Sequence, residues 1–232
     1  MTPDMSVEEA VRARHAVRMY TSEPITAEQA EDLRDAVDRC RLQGHLDMRL
    51  VLDDADGFAT FRTHYGAFRG VRDYVALFPD DAPDWDERCG YFGMRVMLRA
   101  TQLGLDTCWA RVDGLAGESD GNDADDAMTP LPRYVIALGH GVRPGRPHRS
   151  KPFEQIASTA TEEPVPEWFR RGIETVMFAP SALGRQEFTF RLEADGRTVT
   201  ARALPGPCPG VDLGVAKLHF EIGAGDADFT WA

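Results

Sequence analysis

The chain is short of basic charge, of organised cysteine and of long apolar runs, and each shortage removes a class of function. Its 232 residues carry 26 Lys and Arg against 38 Asp and Glu, a formal charge of −12. A net negative field repels phosphate backbones and anionic lipid, so neither nucleic acid nor a membrane surface is an expected partner. An anionic cofactor is admissible only where arginines cluster locally. No apolar run is long enough to cross a bilayer. The opening Met-Thr-Pro-Asp-Met-Ser lacks the basic and apolar regions of a signal peptide, so the expected location is the cytoplasm. Cys40, Cys89, Cys108 and Cys208 form no C-x-x-C pair, which argues for structural thiols rather than a zinc site or a disulfide framework. His140 and His148 have no carboxylate or cysteine at metal-ligand spacing, and no metal is expected.

What is present suffices for a core: apolar residues make up 43% of the chain, enough for one large domain or two small lobes sharing a core. Ser6-Val-Glu-Glu9 reads as a capping box that opens a helix to about His15, and Thr26 with Gln29 repeats the signal. Ala30, Leu33 and Val37 give that second helix its apolar stripe. Met48–Leu52 and Asp73–Phe78 read as strands. Asp56-Gly57 reads as a turn, with a short helix over Phe58–Tyr65. Tyr91–Leu103 is the strongest helical segment, closed by Gly104 in a left-handed cap. Thr107–Ala110 and Tyr134–Leu138 read as strands, joined by an acidic loop around 117–127. Arg143–Lys151 is a basic, proline-broken stretch in an otherwise acidic chain. Glu162–Pro166 is a linker and Glu167–Phe178 a helix. Glu187–Glu193 and Thr198–Leu204 form a hairpin about Asp195-Gly196. Val211–Ile222 is the last helix, and Phe229–Trp231 a short terminal strand.

The order of elements recurs. In each half a helix and a glycine turn lead to a strand, an Asp-Gly turn, a second strand, a long helix and an aromatic end. Gly44 corresponds to Gly184, Asp56-Gly57 to Asp195-Gly196, Gly93 to Gly214, and Trp109 falls close to Trp231. The insertion in the first half holds the Phe58–Tyr65 helix. We therefore expect a first half over 1–160 and a second, shorter half over 161–232. Each would bury an apolar face against the other, as a symmetric dimer does across its axis. Chance recurrence of common elements is the alternative.

Four segments then carry a family resemblance. Ala13-Arg-His-Ala-Val-Arg-Met-Tyr20 resembles the Arg-Arg/His-Ser-x-Arg/Lys-x-Phe opening of FMN-dependent nitroreductase-like proteins. Leu103-Gly-Leu-Asp-Thr-Cys-Trp109 is similar to the family's Leu-Gly-Leu-Gly-Thr-Cys-Trp. Ile136-Ala-Leu-Gly139 precedes Arg149-Ser-Lys-Pro152, which resembles the basic phosphate segment. Ala179-Pro-Ser-Ala-Leu-Gly-Arg-Gln-Glu-Phe188 resembles Ala-Pro-Ser-Ser-x-Asn-x-Gln-Pro-Trp. In the ordinary family that last motif lies near the N-terminus and reaches the dimer partner's site. Its late position here resembles a single-chain tandem branch.

The resemblance implies an α+β nitroreductase-like fold with two antiparallel-sheet lobes fused as a pseudo-dimer, and a monomeric chain. It implies FMN, with Arg14, Arg149 and Lys151 at the phosphate and His15 and Ala16 beside them. Arg18 falls near the flavin N1 and C2 carbonyl, and the backbone amides of Ala110 and Arg111 near N5. Ser181, Ala182 and Gly184 form the cross-lobe contact. NAD(P)H is the implied hydride donor and a nitroaromatic or quinone-like small molecule the acceptor. No catalytic side chain is implied, because the cofactor does the chemistry. Arg39-Cys-Arg stands where a second Ala-Pro-Ser would be, which implies one FMN per chain. Ala16, Ala182, Gly184 and Glu187 depart from the family's Ser, Ser, Asn and Pro. These losses favour the rival expectation, a non-catalytic flavin- or ligand-binding protein of the same fold.

Overall fold

The computed structural model describes residues 5–64, 67–115, 130–147, 149–160 and 164–232. The acidic 117–127 loop, His148 and the start of the 162–166 linker lie outside them. The chain divides into two compact units interleaved in sequence. One comprises Met1–Ala13, Ala82–Leu98 and Pro147–Ala232, the other Arg14–Asp81 and Arg99–Arg146.

The second of these holds a five-stranded antiparallel sheet. Its strands are β1 (Asp47–Val51), β2 (Phe61–His64), β3 (Asp73–Phe78), β4 (Asp106–Leu115) and β5 (Tyr134–Gly139), in the order β1-β3-β5-β4-β2. Its long helix α2 (Ala27–Gly44) begins at the expected capping box: Gln29 N–H donates to Thr26 Oγ1 at 3.2 Å and Thr26 N–H to Gln29 Oε1 at 2.9 Å. Ala30, Leu33, Val37 and Cys40 are buried at three- and four-residue spacing. One sheet face carries a core of Val17, Tyr20, Phe58, Tyr74, Ala76, Ala110, Val135 and Ala137.

Two expectations fail in this unit. Asp56-Gly57 does not turn the chain; it lies inside the short helix α3 (Ala55–Ala59), because Asp54 accepts the Gly57 N–H at 2.9 Å and caps it. The Phe58–Tyr65 helix is absent, and Phe61–His64 is the edge strand β2. Strand β4 runs five residues beyond Ala110 and offers β2 a hydrogen-bonding edge. Phe61 meets Phe58 and Tyr74 edge-on, at ring separations of 6.1 and 5.8 Å.

In the other unit, α1 (Val7–Ala13) starts at the Ser6 box, with Glu9 N–H on Ser6 Oγ at 3.1 Å and Ser6 N–H on Glu9 Oε2 at 2.7 Å. Helix α4 (Trp85–Gln102) begins six residues before the expected Tyr91; Trp85–Leu98 belongs to this unit. Helices α6 (Glu167–Val176) and α7 (Pro209–Ala224) follow the expected spans closely. Glycine lets α7 approach α4: a Cβ on Gly214 would lie 1.9 Å from the Glu87 carbonyl oxygen. Two elements were not anticipated, the helical turn α5 (Phe153–Ile156) and strand β6 (Ala157–Thr159). With β7 (Phe188–Leu192), β8 (Thr198–Ala203) and β9 (Thr230–Trp231), β6 forms a sheet in chain order. This corrects the expectation of two antiparallel sheets. Only β7 and β8, joined by the Asp195-Gly196 turn, are antiparallel; β6 and β9 add parallel, because long connections separate them from their neighbours. Phe190 and Phe220 stack at 5.3 Å, with Trp168, Phe169 and Trp231 around them.

Candidate functional site

After α1 the chain becomes extended from Arg14 to Thr21, where three neighbours hold it. Val17 N–H donates to Thr107 O at 3.1 Å, and Ala16 bridges Thr107 in parallel. Arg69 N–H donates to Arg18 O and Tyr20 N–H to Arg69 O, each at 2.9 Å. Tyr20 bridges Gly141 in antiparallel fashion. Its hydroxyl donates to Val17 O at 2.7 Å from within the core. Val17 and Tyr20 are buried, while Ala16 and Arg18 are exposed. On the exposed side is a cavity of about 390 Å³, lined by residues 16–19, Ala67 and residues 143–146. That size lies within the usual range for small-molecule sites, roughly 300–1,000 Å³.

Arg14 heads this segment and is 5% exposed. Its Nε and Nη1 have no hydrogen-bond partner among the described residues. Burial lowers its pKa to about 10, and the nearby Cys108 thiol opposes that slightly. Burial also raises the Cys108 thiol, against the two cations Arg18 and Arg14. The Thr107 hydroxyl is likewise buried without a partner among the described residues. Buried polar groups are almost always paired, and the Arg14 guanidinium and the Thr107 hydroxyl depart from that among the described residues.

The expected contacts divide between the units. Arg14, His15, Ala16 and Arg18 lie together on the extended segment. Ala110 and Arg111 lie on β4 of the same unit, opposite Val135 and Tyr134. Ala110 is in the core, and the Arg111 guanidinium is committed to Asp113 at 2.9 Å. Arg149, Lys151, Ser181, Ala182 and Gly184 lie in the other unit. Arg149 is exposed. Lys151 is already engaged: its Nζ donates to Gln186 O at 3.0 Å and to Glu187 Oε2 at 3.2 Å. The Ser181–Gly184 turn is tightly organised, with Leu183 and Gly184 at φ 57° and 66°. Ser181 Oγ accepts the Gln186 N–H at 2.8 Å, and Asp212 Oδ1 accepts the Ala182 N–H at 2.9 Å. Asp212 is buried, and burial, with Glu187 nearby, pushes its pKa up to about 7 against that hydrogen bond.

The cavity also contains residues that motif matching passed over. Arg143, Pro144, Gly145 and Arg146 line it with Arg18. The signal was in the sequence, as the first part of the basic stretch. Among the described residues no helix is long and apolar enough to cross a membrane, and no His, Cys, Asp and Glu cluster is arranged to hold a metal.

A protein-family model described as "Putative TM nitroreductase" matches residues 6–224. Among solved structures, a Thermotoga maritima protein described as a "putative nitroreductase" has the same fold. It gives a TM-score of 0.61 at 20% identity, covering 96% of this chain and 85% of that one. A Desulfovibrio desulfuricans protein described as a "putative nitroreductase in complex with fmn" is 23% identical at a TM-score of 0.48, covering 72% of this chain and 99% of its own. None of the curated proteins compared matches the chain. The family match spans nearly the whole sequence, both units included, and the chain belongs to this nitroreductase family.

Proposed function

We propose that the chain is an FMN-dependent oxidoreductase that takes hydride from NAD(P)H and passes it to an electron-poor acceptor such as a nitroaromatic or a quinone. The observation that carries this reading is Arg14, a buried guanidinium with two nitrogens unpartnered among the described residues. A phosphate, with nearly two charges and several acceptor oxygens, is the group such a side chain fits. The flavin phosphate therefore belongs at Arg14, with His15 and Ala16 beside it. Arg18 is exposed, lines the cavity and carries the positive charge suited to a reduced, anionic flavin ring. When bound, FMN supplies a two-electron hydride acceptor and donor. The chain's own part is to anchor and orient it. Ala110, Arg111, Arg149, Lys151, Ser181, Ala182 and Gly184 are proposed contacts on the sequence resemblance alone. The tandem arrangement of halves, one FMN per chain, a monomeric state and a cytoplasmic location are proposed on the same basis.

One observation favours the second reading, a non-catalytic flavin or ligand binder. Lys151, a resemblance-based phosphate ligand, is held by Gln186 and Glu187, and Glu187 replaces the family's proline. Absorbance spectra of purified protein before and after FMN and then NADPH, without oxygen, decide between them. Bound flavin that bleaches supports the oxidoreductase, and bound flavin that stays yellow supports the second reading. A chain that binds no FMN refutes both flavin readings.

A further inference from the structure

Residues 140–142 run antiparallel to residues 19–21. Thr21 N–H donates to His140 O at 2.8 Å, Val142 N–H donates to Met19 O at 2.9 Å, and Tyr20 bridges Gly141. The two stretches stay close further on: a Cβ on Gly145 would lie 2.4 Å from His15 Cβ and 3.1 Å from the Ala16 carbonyl oxygen. Arg143 and Arg146 are thereby fixed on the rim of the cavity that Arg18 lines.

All three arginines are exposed, and none has a carboxylate partner among the described residues. Several other arginines of the same unit do, Arg49 with Asp47, Arg72 with Asp53, Arg99 with Asp32 and Arg111 with Asp113, and those that do not, such as Arg34, Arg39 and Arg69, do not line the cavity. In a chain with twelve more acidic than basic residues, three neighbouring arginines without carboxylates are not an ordinary solvated face. Like charges gathered around one cavity repel, and an anion between them relieves this. A carboxylate has two oxygens, which one guanidinium fork satisfies. A phosphate monoester has three terminal oxygens and close to two charges, and takes several. Exposure also separates this rim from Arg14. A resident cofactor suits an enclosed anchor, whereas a ligand that enters and leaves at each turnover suits an open one.

We propose that Arg143 and Arg146 form a phosphate-monoester subsite on the rim of the cavity, separate from Arg14 and from the flavin-facing Arg18, that reads the ribose phosphate of the hydride donor and so selects NADPH over NADH. The identity of the donor rests on the flavin reading above; recognition of the monoester does not. The test is calorimetric titration of the purified protein with 2′-phospho-ADP-ribose and with ADP-ribose. These fragments differ only in the monoester and undergo no hydride transfer. Wild type is expected to bind the phosphorylated fragment at least about tenfold more tightly, the worth of one charged hydrogen bond. The Arg143→Ala/Arg146→Ala variant should lose that discrimination, while its FMN dissociation constant stays within about twofold of wild type. Equal binding of the two fragments by wild type overturns the proposal. So does a variant that loses FMN affinity but keeps discrimination, which would assign these arginines to the flavin phosphate. Wild type that discriminates the fragments but binds no FMN keeps the subsite and removes the flavin reading.

Discussion

Replacing Arg14 by methionine separates binding from folding at the residue on which the functional reading rests. The side chain is 5% exposed and its pKa is lowered to about 10, chiefly by desolvation. Against the ordinary guanidinium value, the difference is roughly 2.5 pKa units, or about 3 kcal/mol of unrelieved desolvation. The sign follows from linkage. Below pH 10 Arg14 is charged both folded and unfolded, so the penalty is present in full at neutral pH. It fades only above about 10, where the folded state releases its proton first. Methionine keeps most of the aliphatic packing and removes the charge. The flavin-free protein should therefore gain about 1–3 kcal/mol in urea unfolding at pH 7. The same change should weaken FMN by about tenfold to a hundredfold, since each charged hydrogen bond contributes about 1.5–3 kcal/mol. Riboflavin, which lacks the phosphate, should bind both proteins almost equally. A flavin-free variant destabilised by more than about 1 kcal/mol would mean that Arg14 has a structural partner. Unchanged FMN affinity would refute the anchor.

Three further predictions follow from the same geometry. Asp212→Asn should relieve a buried carboxylate whose pKa is raised to about 7. Wild-type stability should fall as pH climbs from the usual carboxylate range through 7, so the variant should be more stable by about 2–4 kcal/mol at pH 8 and equal near pH 4 in paired urea titrations. Gly145→Ala places a methyl 2.4 Å from His15 Cβ. It should cost about 1–3 kcal/mol by thermal unfolding and weaken FMN, because the Arg14–Arg18 segment must shift; unchanged melting and affinity would mean that the close approach has no consequence. On the tandem reading, light scattering should give a single-chain mass and FMN titration should saturate at one per chain, and Ser181→Arg should block binding. A stable dimer, two flavins per chain or normal binding by that variant would each contradict it.

Those features of this chain that depend on neighbours a few residues away were legible in the sequence. The Ser6–Glu9 and Thr26–Gln29 boxes close within one helical turn, so their donors and acceptors are named by spacing alone. Gly104 at φ 79° and the Asp195-Gly196 turn between β7 and β8 are equally local. The motif carrying Arg14 and Arg18 was also visible, and its residues 16–19 line a cavity. Tertiary structure alone decided what depends on distant partners. Phe61–His64 became a strand because β4, some fifty residues later, offers it an edge. β6 and β9 became parallel edges because their sheet neighbours lie far away in the chain. Most of all, the sequence could not distinguish the roles of Arg14 and Arg18. Arg14 is buried, with two nitrogens unpartnered among the described residues, while Arg18 is exposed and lines a cavity with Arg143, 125 residues later. Burial and charge pairing are set by the neighbours that folding brings together, and a guanidinium becomes an anion site only where those neighbours leave it unpaired.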